Sequence, residues 1–290
     1  MSNLSGSGCE IFIPENDRQP LRDIERSIIK KFRRGTWTQF IKAIKEYELI
    51  QDGDKIAVAI SGGKDSLLLA KMFQELRKHG MKNFELEFIS MDPGFNKANR
   101  DLLEEHCAYL NIPVKIFDKK IFEVVDDIAN SYPCYLCARM RRGALYAYAQ
   151  ELGCNKVALG HHFDDTIETV MMNVLCAGKF MTMMPKLKSS NFENMELIRP
   201  LYYLREKDIK KWASWNGLNP MDCGCVVAAK KTSSKRREVK ELIATLGTSF
   251  KDVEKSIFHS AKNVHMDAVL GWTTNGEKHS FLDQYDDEDL

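Results

Sequence analysis

The chain has 290 residues, of which 44% are hydrophobic and 29% are charged, and its formal net charge is +1. These values predict one or two domains with a sizeable core and are typical of a globular protein. No apolar run approaches the roughly 18 residues of a membrane span, and no basic-then-apolar leader opens the sequence. We therefore expect a cytoplasmic protein with no membrane partner, rather than a secreted or membrane-spanning one.

Composition and pattern divide the chain into five predicted segments. The N-terminal residues mix Ser, Gly, Asn and Pro, which favours a flexible arm, and five carboxylates crowd the C-terminus, which favours a solvated, disordered end. The predicted segments are a flexible arm (1–20), an N-terminal helical segment (21–50), an α/β domain (51–220), a C-terminal helical segment that carries cysteines (221–270) and an acidic tail (271–290).

The N-terminal segment predicts one uninterrupted helix over residues 21–48. Its apolar positions include Ile24 and Ile28 and, further along, Phe40 and Ile44. The same stretch carries a basic cluster, which we interpret as a solvated face, with contact to RNA as the alternative. The cluster consists of Lys30, Lys31, Arg33 and Arg34.

The central segment alternates predicted strands and helices. Strands are predicted where apolar residues run together, and helices where they recur at helical spacing. The alternation predicts a doubly wound, mostly parallel sheet, in which ligands bind at the carboxyl ends of the strands. Predicted strands cover 56–60, 84–91, 114–117, 156–160 and 197–201; predicted helices run from after Asp65 to His79 and over 97–110, 121–130, 138–152, 164–175, 205–216, 235–247 and 250–263.

The first predicted strand ends in the string Ser-Gly-Gly-Lys-Asp-Ser, at residues 61–66. Gly62 and Gly63 have no Cβ, so their backbone can approach a phosphate closely. The start of the next helix offers unpaired N–H groups, while Ser61 and Ser66 add hydroxyl donors and Lys64 adds a positive charge. A strand, a glycine turn and a helix start in this order predict an anion site. The alternative is an ordinary turn between a strand and a helix.

This string resembles the signature of the PP-loop ATP pyrophosphatases. The resemblance implies an adenine nucleotide alpha hydrolase-like fold over residues 51–220 and an enzyme that splits ATP between its α and β phosphates. It also implies that residues 61–66, including Asp65, hold the pyrophosphate end of ATP. In that family the end of the second strand contacts adenine through its backbone, which makes Ile89 and Met91 candidates for cofactor binding.

A second polar string follows the predicted strand at 156–160. Gly160, His161 and His162 come first, and Asp164 and Asp165 lie just before the next helix. Either acid could cap that helix, but paired acids beside a nucleotide also suit Mg²⁺, which prefers oxygen ligands. The string resembles a motif of the tRNA-thiolating branch of the PP-loop family. The resemblance implies that Asp165 is a catalytic or Mg²⁺-holding acid and that Gly160 and His161 border the nucleotide.

The chain has eight cysteines, and their spacing points to a metal site or redox chemistry rather than to disulfides. Cys134 and Cys137 form a C-x-x-C pair just before a predicted basic helix, and Cys223 and Cys225 follow much later in the chain. Thiols in these positions suit a closed zinc site or an iron–sulfur cluster, and a lone C-x-x-C also suits a redox pair. The other four, at positions 9, 107, 154 and 176, are not expected to be ligands.

Together these motifs resemble the tRNA 2-thiocytidine synthetase family over residues 25–270. The resemblance implies that a [4Fe–4S] cluster is bound by Cys134, Cys137 and one later cysteine, for which we favour Cys223 with Cys225 as the alternative. It implies that the iron without a cysteine ligand carries sulfur. Arg141 occupies the position of a catalytic lysine in a related 2-thiouridine synthetase. A guanidinium stays charged, so Arg141 could stabilise phosphate charge but could not act as a base.

The resemblance implies ATP-dependent thiolation of tRNA at cytidine 32. Cytosine O2 would be adenylated, with Lys64 stabilising the pyrophosphate charge, and sulfur from a cysteine desulfurase or sulfide would then replace it. We expect ATP, Mg²⁺ and the cluster as cofactors, tRNA as the partner, and a homodimer. An RNA-binding surface is predicted where basic residues crowd, at Lys186, Lys188, Arg199, Arg205, Lys207, Lys210, Lys211, Lys230, Lys231, Lys235, Arg236 and Arg237.

Two alternatives remain open from the sequence. The first is another PP-loop enzyme that modifies tRNA, of the 2-thiouridine or lysidine type. The second is a non-catalytic module that binds zinc and a nucleotide. The cysteine set argues against a lysidine-type enzyme, which needs no cluster, and metal content distinguishes the cluster from zinc.

Overall fold

A six-stranded sheet lies at the centre of the structure, a computed structural model that describes residues 16–119, 121, 133–221 and 235–285. The strand order is β3-β2-β1-β4-β6-β5, and every neighbouring pair is parallel except β5 with β6. The strands are β1 (Lys55–Ala59), β2 (Glu85–Asp92), β3 (Val114–Asp118), β4 (Lys156–Ala158), β5 (Lys186–Lys188) and β6 (Glu196–Ile198). The predicted doubly wound, mostly parallel sheet is confirmed.

The central strand β1 is buried on both faces, as its unbroken apolar sequence predicts. Ile56, Ala57 and Val58 are fully buried, and β1 pairs with β2 on one side and β4 on the other. Helices cover the two faces of the sheet. They are α1 (Leu21–Ile29), α2 (Trp37–Glu46), α3 (Lys64–Lys78), α4 (Lys97–Tyr109), α5 (Pro133–Glu151), α6 (Phe163–Ala177), α7 (Glu206–Trp215), α8 (Lys235–Ser249) and α9 (Val253–Ser260).

The single helix predicted over residues 21–48 is wrong, because the chain turns between α1 and α2. Thr36 is fully buried in this turn, and its hydroxyl donates to the carbonyls of Ile28 and Phe32. Gly35 packs so closely on α7 that a Cβ there would lie 2.9 Å from Cγ of Asp208. The turn allows apolar residues of both helices to reach the same core.

Helix α5 begins at Pro133, earlier than the predicted start at residue 138. Proline suits the first turn of a helix, because its missing N–H would have no partner there in any case. The C-x-x-C pair therefore belongs to the first two turns of α5 rather than to the segment before it. The predicted helix over 121–130 lies, except for residue 121, outside the described residues.

Two other elements escaped the sequence analysis. Strand β5 adds an antiparallel edge to the sheet within a segment that showed no regular pattern. The segment interpreted as a disordered acidic tail contains an antiparallel hairpin of β7 (Gly271–Thr274) and β8 (Glu277–Ser280). The five-segment division itself stays a prediction. No helix among the described residues is long and apolar enough to span a membrane.

Candidate active site

The turn between β1 and α3 has the geometry of an anion site. Ser66 is the centre of its hydrogen bonds: its hydroxyl accepts from the Ser61 amide at 3.1 Å and donates to the Gly63 carbonyl at 2.9 Å. Gly62 has a φ of +81°, a conformation that favours glycine. Gly63 precedes α3 without a side-chain cap, so the helix start can offer its N–H groups to a ligand.

The chain returns to this turn at Met221. The Met221 amide donates to the Gly62 carbonyl at 3.0 Å, and a Cβ on Gly62 would lie 2.6 Å from Sδ of Met221. Gly62 is therefore required both for its φ and for this close approach. The contact brings the start of the later cysteine-bearing segment to the predicted phosphate loop.

The Gly-His-His loop lies directly against the same turn. A Cβ on Gly160 would lie 3.2 Å from the Asp65 carbonyl carbon and 3.3 Å from the Ser66 amide nitrogen. His162 caps α6: its Nδ1 accepts from the Asp165 amide, and the Asp165 carboxylate accepts from the His162 amide at 3.0 Å. Asp164 caps a different helix, accepting from the Glu206 amide of α7 at 2.7 Å. Helix capping thus explains the hydrogen bond of Asp164 and occupies one of the two carboxylate oxygens of Asp165.

These loops enclose a cavity of about 400 Å³ at the carboxyl ends of β1, β2 and β4. Eight of the predicted site residues line it together: Ser61, Asp65, Ser66, Met91, Arg141, Gly160, His161 and Asp165. Gly62, Gly63 and Lys64 lie in the adjoining turn but do not line the cavity. Ile89 does not line it either: it is fully buried in β2, and its carbonyl accepts from the Ile60 amide. Arg142 and Tyr146 of α5 also line the cavity, although no motif pointed to them.

Two buried polar atoms in this cavity have no hydrogen-bond partner among the described residues, Oδ1 of Asp65 and Nδ1 of His161. Burial raises the pKa of Asp65, against the opposing effect of Lys64. Burial lowers the pKa of His161 to about 4, so its imidazole is neutral at neutral pH. Buried polar groups without a partner are costly. Here they are available to a bound ligand.

Asp165 keeps its charge in the cavity. Burial acts to raise its pKa, but His162, His161 and Arg236 together hold that pKa below its usual value. Arg236 lies 3.3 Å from Oδ1 of Asp165 and 3.1 Å from Oε2 of Glu168. Helix α8 therefore contributes a cation, Arg236, to the site. The sequence analysis had assigned Arg236 to an RNA-binding surface.

Glu206 is a site residue that the sequence analysis missed. It starts α7, and its carboxylate lies 3.3 Å from Nζ of Lys64 and 2.6 Å from Nζ of Lys240. Burial acts to raise its pKa, but Lys240 and Lys64 lower it to about 2. Burial would lower the pKa of Lys64, but Asp65 and Glu206 raise it. The loop lysine is thus held charged by a residue about 140 positions later, which a local motif cannot reveal.

We expect Glu206→Gln to destabilise the protein at neutral pH by roughly 2–3 kcal/mol, because Lys240 loses its carboxylate partner and Lys64 keeps only Asp65. Glu206 has a lower pKa when folded, so its contribution is present above its unfolded pKa near 4.5 and is lost as pH falls towards 2. Urea unfolding of both proteins between pH 7 and pH 2.5 measures this. The stability difference should shrink below pH 4.5; a difference independent of pH would contradict the assignment.

The structure describes the side chains of three of the eight cysteines. Cys107 and Cys154 are buried and free, and burial raises their thiol pKa to about 12 and about 11, so both are inert. Cys176 is exposed and free. Cys134 and Cys137 are described by their backbone alone, while Cys9, Cys223 and Cys225 lie outside the described residues. In the described part of the chain, no three His, Cys, Asp or Glu side chains are grouped as a metal site.

Two members of the predicted RNA surface are wrong. Arg199 is 6% exposed, donates to the Met184 carbonyl, and has its pKa lowered to about 10 by burial and by Arg142. Arg205 pairs with Asp164 and Glu254 and lies over the Phe163 ring. The Arg199 guanidinium is therefore buried and that of Arg205 is held in ion pairs, so neither is free to bind RNA. Lys230 and Lys231 lie outside the described residues.

Comparison with known proteins agrees with this geometry. Residues 35–222 match the PP-loop domain family. A tRNA-cytidine(32) 2-sulfurtransferase of Citrifermentans bemidjiense is 38% identical over 77% of this chain and 88% of its own length. One of Syntrophotalea carbinolica is 35% identical over 83% and 92%.

A solved structure has the same fold and carries a cluster. The U34-tRNA thiolase NcsA from Methanococcus maripaludis, solved with its [4Fe–4S] cluster, aligns with a TM-score of 0.66 and 25% identity over 86% of this chain and 82% of its own. The chain belongs to the PP-loop family and, within it, to the family of the tRNA-cytidine(32) 2-sulfurtransferases.

Proposed function

We propose that this protein is an ATP-dependent sulfurtransferase that converts cytidine 32 of tRNA to 2-thiocytidine. One observation carries the proposal: the phosphate loop, the Gly-His-His loop and helix α5, whose first two turns hold the C-x-x-C pair, enclose a single cavity. The relatives' names indicate the substrate, and the cavity is where we expect ATP and the cytosine to react. A lysidine-type enzyme or a non-catalytic module would not need the C-x-x-C helix at the nucleotide, and the relatives' names favour cytidine 32 over the 2-thiouridine type.

The first step activates the cytosine. Its O2 attacks the α-phosphorus of ATP, the bond to the bridging oxygen breaks, and pyrophosphate leaves. Negative charge grows on the departing phosphates, where Lys64 and the N–H groups at the start of α3 stabilise it. Arg141 and Arg142 line the same cavity and suit the α-phosphate, because a guanidinium pairs with two phosphate oxygens. Asp165 would hold Mg²⁺ together with phosphate oxygens.

The second step replaces the activated oxygen. A sulfur nucleophile attacks C2 of the cytosine, the C2–O2 bond breaks, and AMP leaves with the original oxygen. The neutral imidazole of His161 lies beside this reaction and can accept a hydrogen bond or donate one.

The sulfur source fits a cluster held by Cys134, Cys137 and Cys223, with Cys225 as the alternative third ligand. Positions 134, 137 and 141 recur at the spacing of one helix face, and Arg141 of that face lines the cavity. Met221 contacts the phosphate loop, and Cys223 follows it two positions later in the sequence. When bound, a [4Fe–4S] cluster with one free iron would supply the sulfur.

Nucleoside analysis tests the activity directly. In a strain that lacks its own 2-thiocytidine synthetase, expression of this chain should restore 2-thiocytidine in hydrolysed tRNA, measured by mass spectrometry. The anaerobically purified protein should contain iron and acid-labile sulfide. A colourless protein with one zinc and no 2-thiocytidine in the tRNA would instead support the non-catalytic module. We further propose a cytoplasmic homodimer that receives its sulfur from a cysteine desulfurase or from sulfide.

A further inference from the structure

A second cavity among the described residues does not belong to the active site. It is a groove of about 670 Å³ between the α1–α2 turn, α2, α7 and α9. Most of its charged side chains are basic, and Asp208 is the single acid that lines it. We call it the flank groove and propose that it binds the sugar–phosphate backbone of the tRNA. This inference rests on the proposed function, whose substrate it would position.

Four cations of the flank groove are available for phosphate. Lys31, Arg34, Lys42 and Lys211 are exposed, and none has a carboxylate within 4 Å in the part of the chain that the structure describes. Lys31 lies over the Trp215 ring at 3.4 Å, and Lys42 over the Tyr203 ring at 4.4 Å, so aromatic rings rather than acids hold these two. Basic side chains that lack acidic partners form the electrostatic footprint of a nucleic-acid site.

Three further cations at one edge of the groove are neutralised. Arg205 pairs with Glu254 and Lys255 with Asp252 at 2.7 Å, while Lys262 pairs with Glu46. The first and third pairs join α9 and the residues after it to neighbouring elements, while Lys255 and Asp252 pair within α9 and its N-cap. The free positive charge therefore concentrates on the side formed by the α1–α2 turn and α7.

Aromatic rings lie between the cations. Phe163 and Phe258 stack at 4.6 Å and form the floor, while Phe32 and Tyr203 are half-buried and His259 is exposed. Basic grooves that contain accessible aromatic rings favour nucleic acid, because bases can stack where phosphates are paired. An acidic protein would use the charges but would not need the rings, so we favour RNA.

The groove lies next to the active-site cavity. Phe163 lines the groove and His161 lines the cavity, with only the helix cap His162 between them. Similarly, Arg205 lines the groove while Glu206 holds Lys64 of the phosphate loop. A tRNA whose backbone followed the groove would thus reach the reaction centre with its adjoining nucleotides.

The test uses Arg34 and Lys211, which are exposed and whose substitution removes no ion pair described here. The double variant Arg34→Ala/Lys211→Ala should bind a transcribed tRNA with cytidine 32 about tenfold more weakly near physiological salt. Its slope of log affinity against log salt should be smaller by about two, roughly one for each cation. The control Lys97→Ala/Lys278→Ala removes two exposed lysines outside the groove and should bind like the wild type. ATP affinity should be unchanged in both.

The outcomes separate this inference from the proposed function. A groove variant with wild-type tRNA affinity and salt dependence would overturn the groove, and would leave the function standing if the wild type still makes 2-thiocytidine. An equal loss in the control variant would also overturn it, because the effect would then be one of general charge. A wild-type protein that neither binds nor thiolates tRNA would overturn both.

Discussion

Replacing Cys134 or Cys137 by alanine is expected to reduce 2-thiocytidine in tRNA to background while leaving ATP affinity within about twofold of the wild type. Each substitution removes one of three proposed cluster ligands, and a cluster held by two thiolates is not retained. The described hydrogen bonds of Ser61, Gly62, Gly63 and Ser66 lie within residues 61–67 and to Met221, so neither substitution removes a described hydrogen bond of the phosphate loop. Nucleoside mass spectrometry and calorimetry with ATP measure the two effects.

The matched control for this experiment is Cys176→Ala. Cys176 is an exposed, free cysteine near the end of α6, far along that helix from the Gly-His-His loop. Its loss should change neither iron content nor thiolation. Wild-type 2-thiocytidine levels in cells that carry only the Cys134 or the Cys137 variant would refute the ligand assignment.

Replacing Lys64 by alanine is expected to weaken ATP binding about 10- to 100-fold, because a charge-assisted hydrogen bond to phosphate contributes roughly 1.5–3 kcal/mol. Lys64 lies at the start of α3 and is kept charged by Asp65 and Glu206, so it can pair with phosphate across the neutral pH range. Calorimetric titration with a non-hydrolysable ATP analogue measures the loss.

The control for Lys64 lies on the same helix. Lys78, at the other end of α3, pairs with Glu25 and has no contact with the cavity. Lys78→Ala should bind the analogue as the wild type does. Equal affinities of the Lys64 and Lys78 variants would count against the phosphate loop as the nucleotide site.

The sheet could be predicted because its signals are local. Strand β1 is buried on both faces, and an unbroken run rich in Val and Ile predicts such a strand from the sequence alone. The break between α1 and α2 could not be predicted, since apolar residues continue at helical spacing through it. What fixes the turn is the packing of Gly35 on Asp208, far away in the chain. Edge strand β5 reads Lys-Leu-Lys and pairs on only one side, so its sequence carries little strand signal.

The active site likewise contains residues that the sequence predicted and residues that only the structure shows. Ser61, Asp65, Gly160 and Asp165 belong to short strings at strand ends, and the structure brings them to one cavity. Glu206 and Arg236 come from separate helices, and only the folded chain shows that they hold Lys64 and Asp165. Arg199 was wrongly predicted to belong to the RNA-binding surface, because a count of basic residues cannot distinguish a buried guanidinium from an exposed one.

The central claim is that the nucleotide and the thiolates that bind the cluster meet in one cavity. The most direct test is the structure of the anaerobically purified protein with its cluster and a non-hydrolysable ATP analogue. We predict that the analogue's α-phosphate and the iron that lacks a cysteine ligand face each other across this cavity, with no protein layer between them. A cluster on the opposite side of the sheet from the phosphate loop would contradict the account.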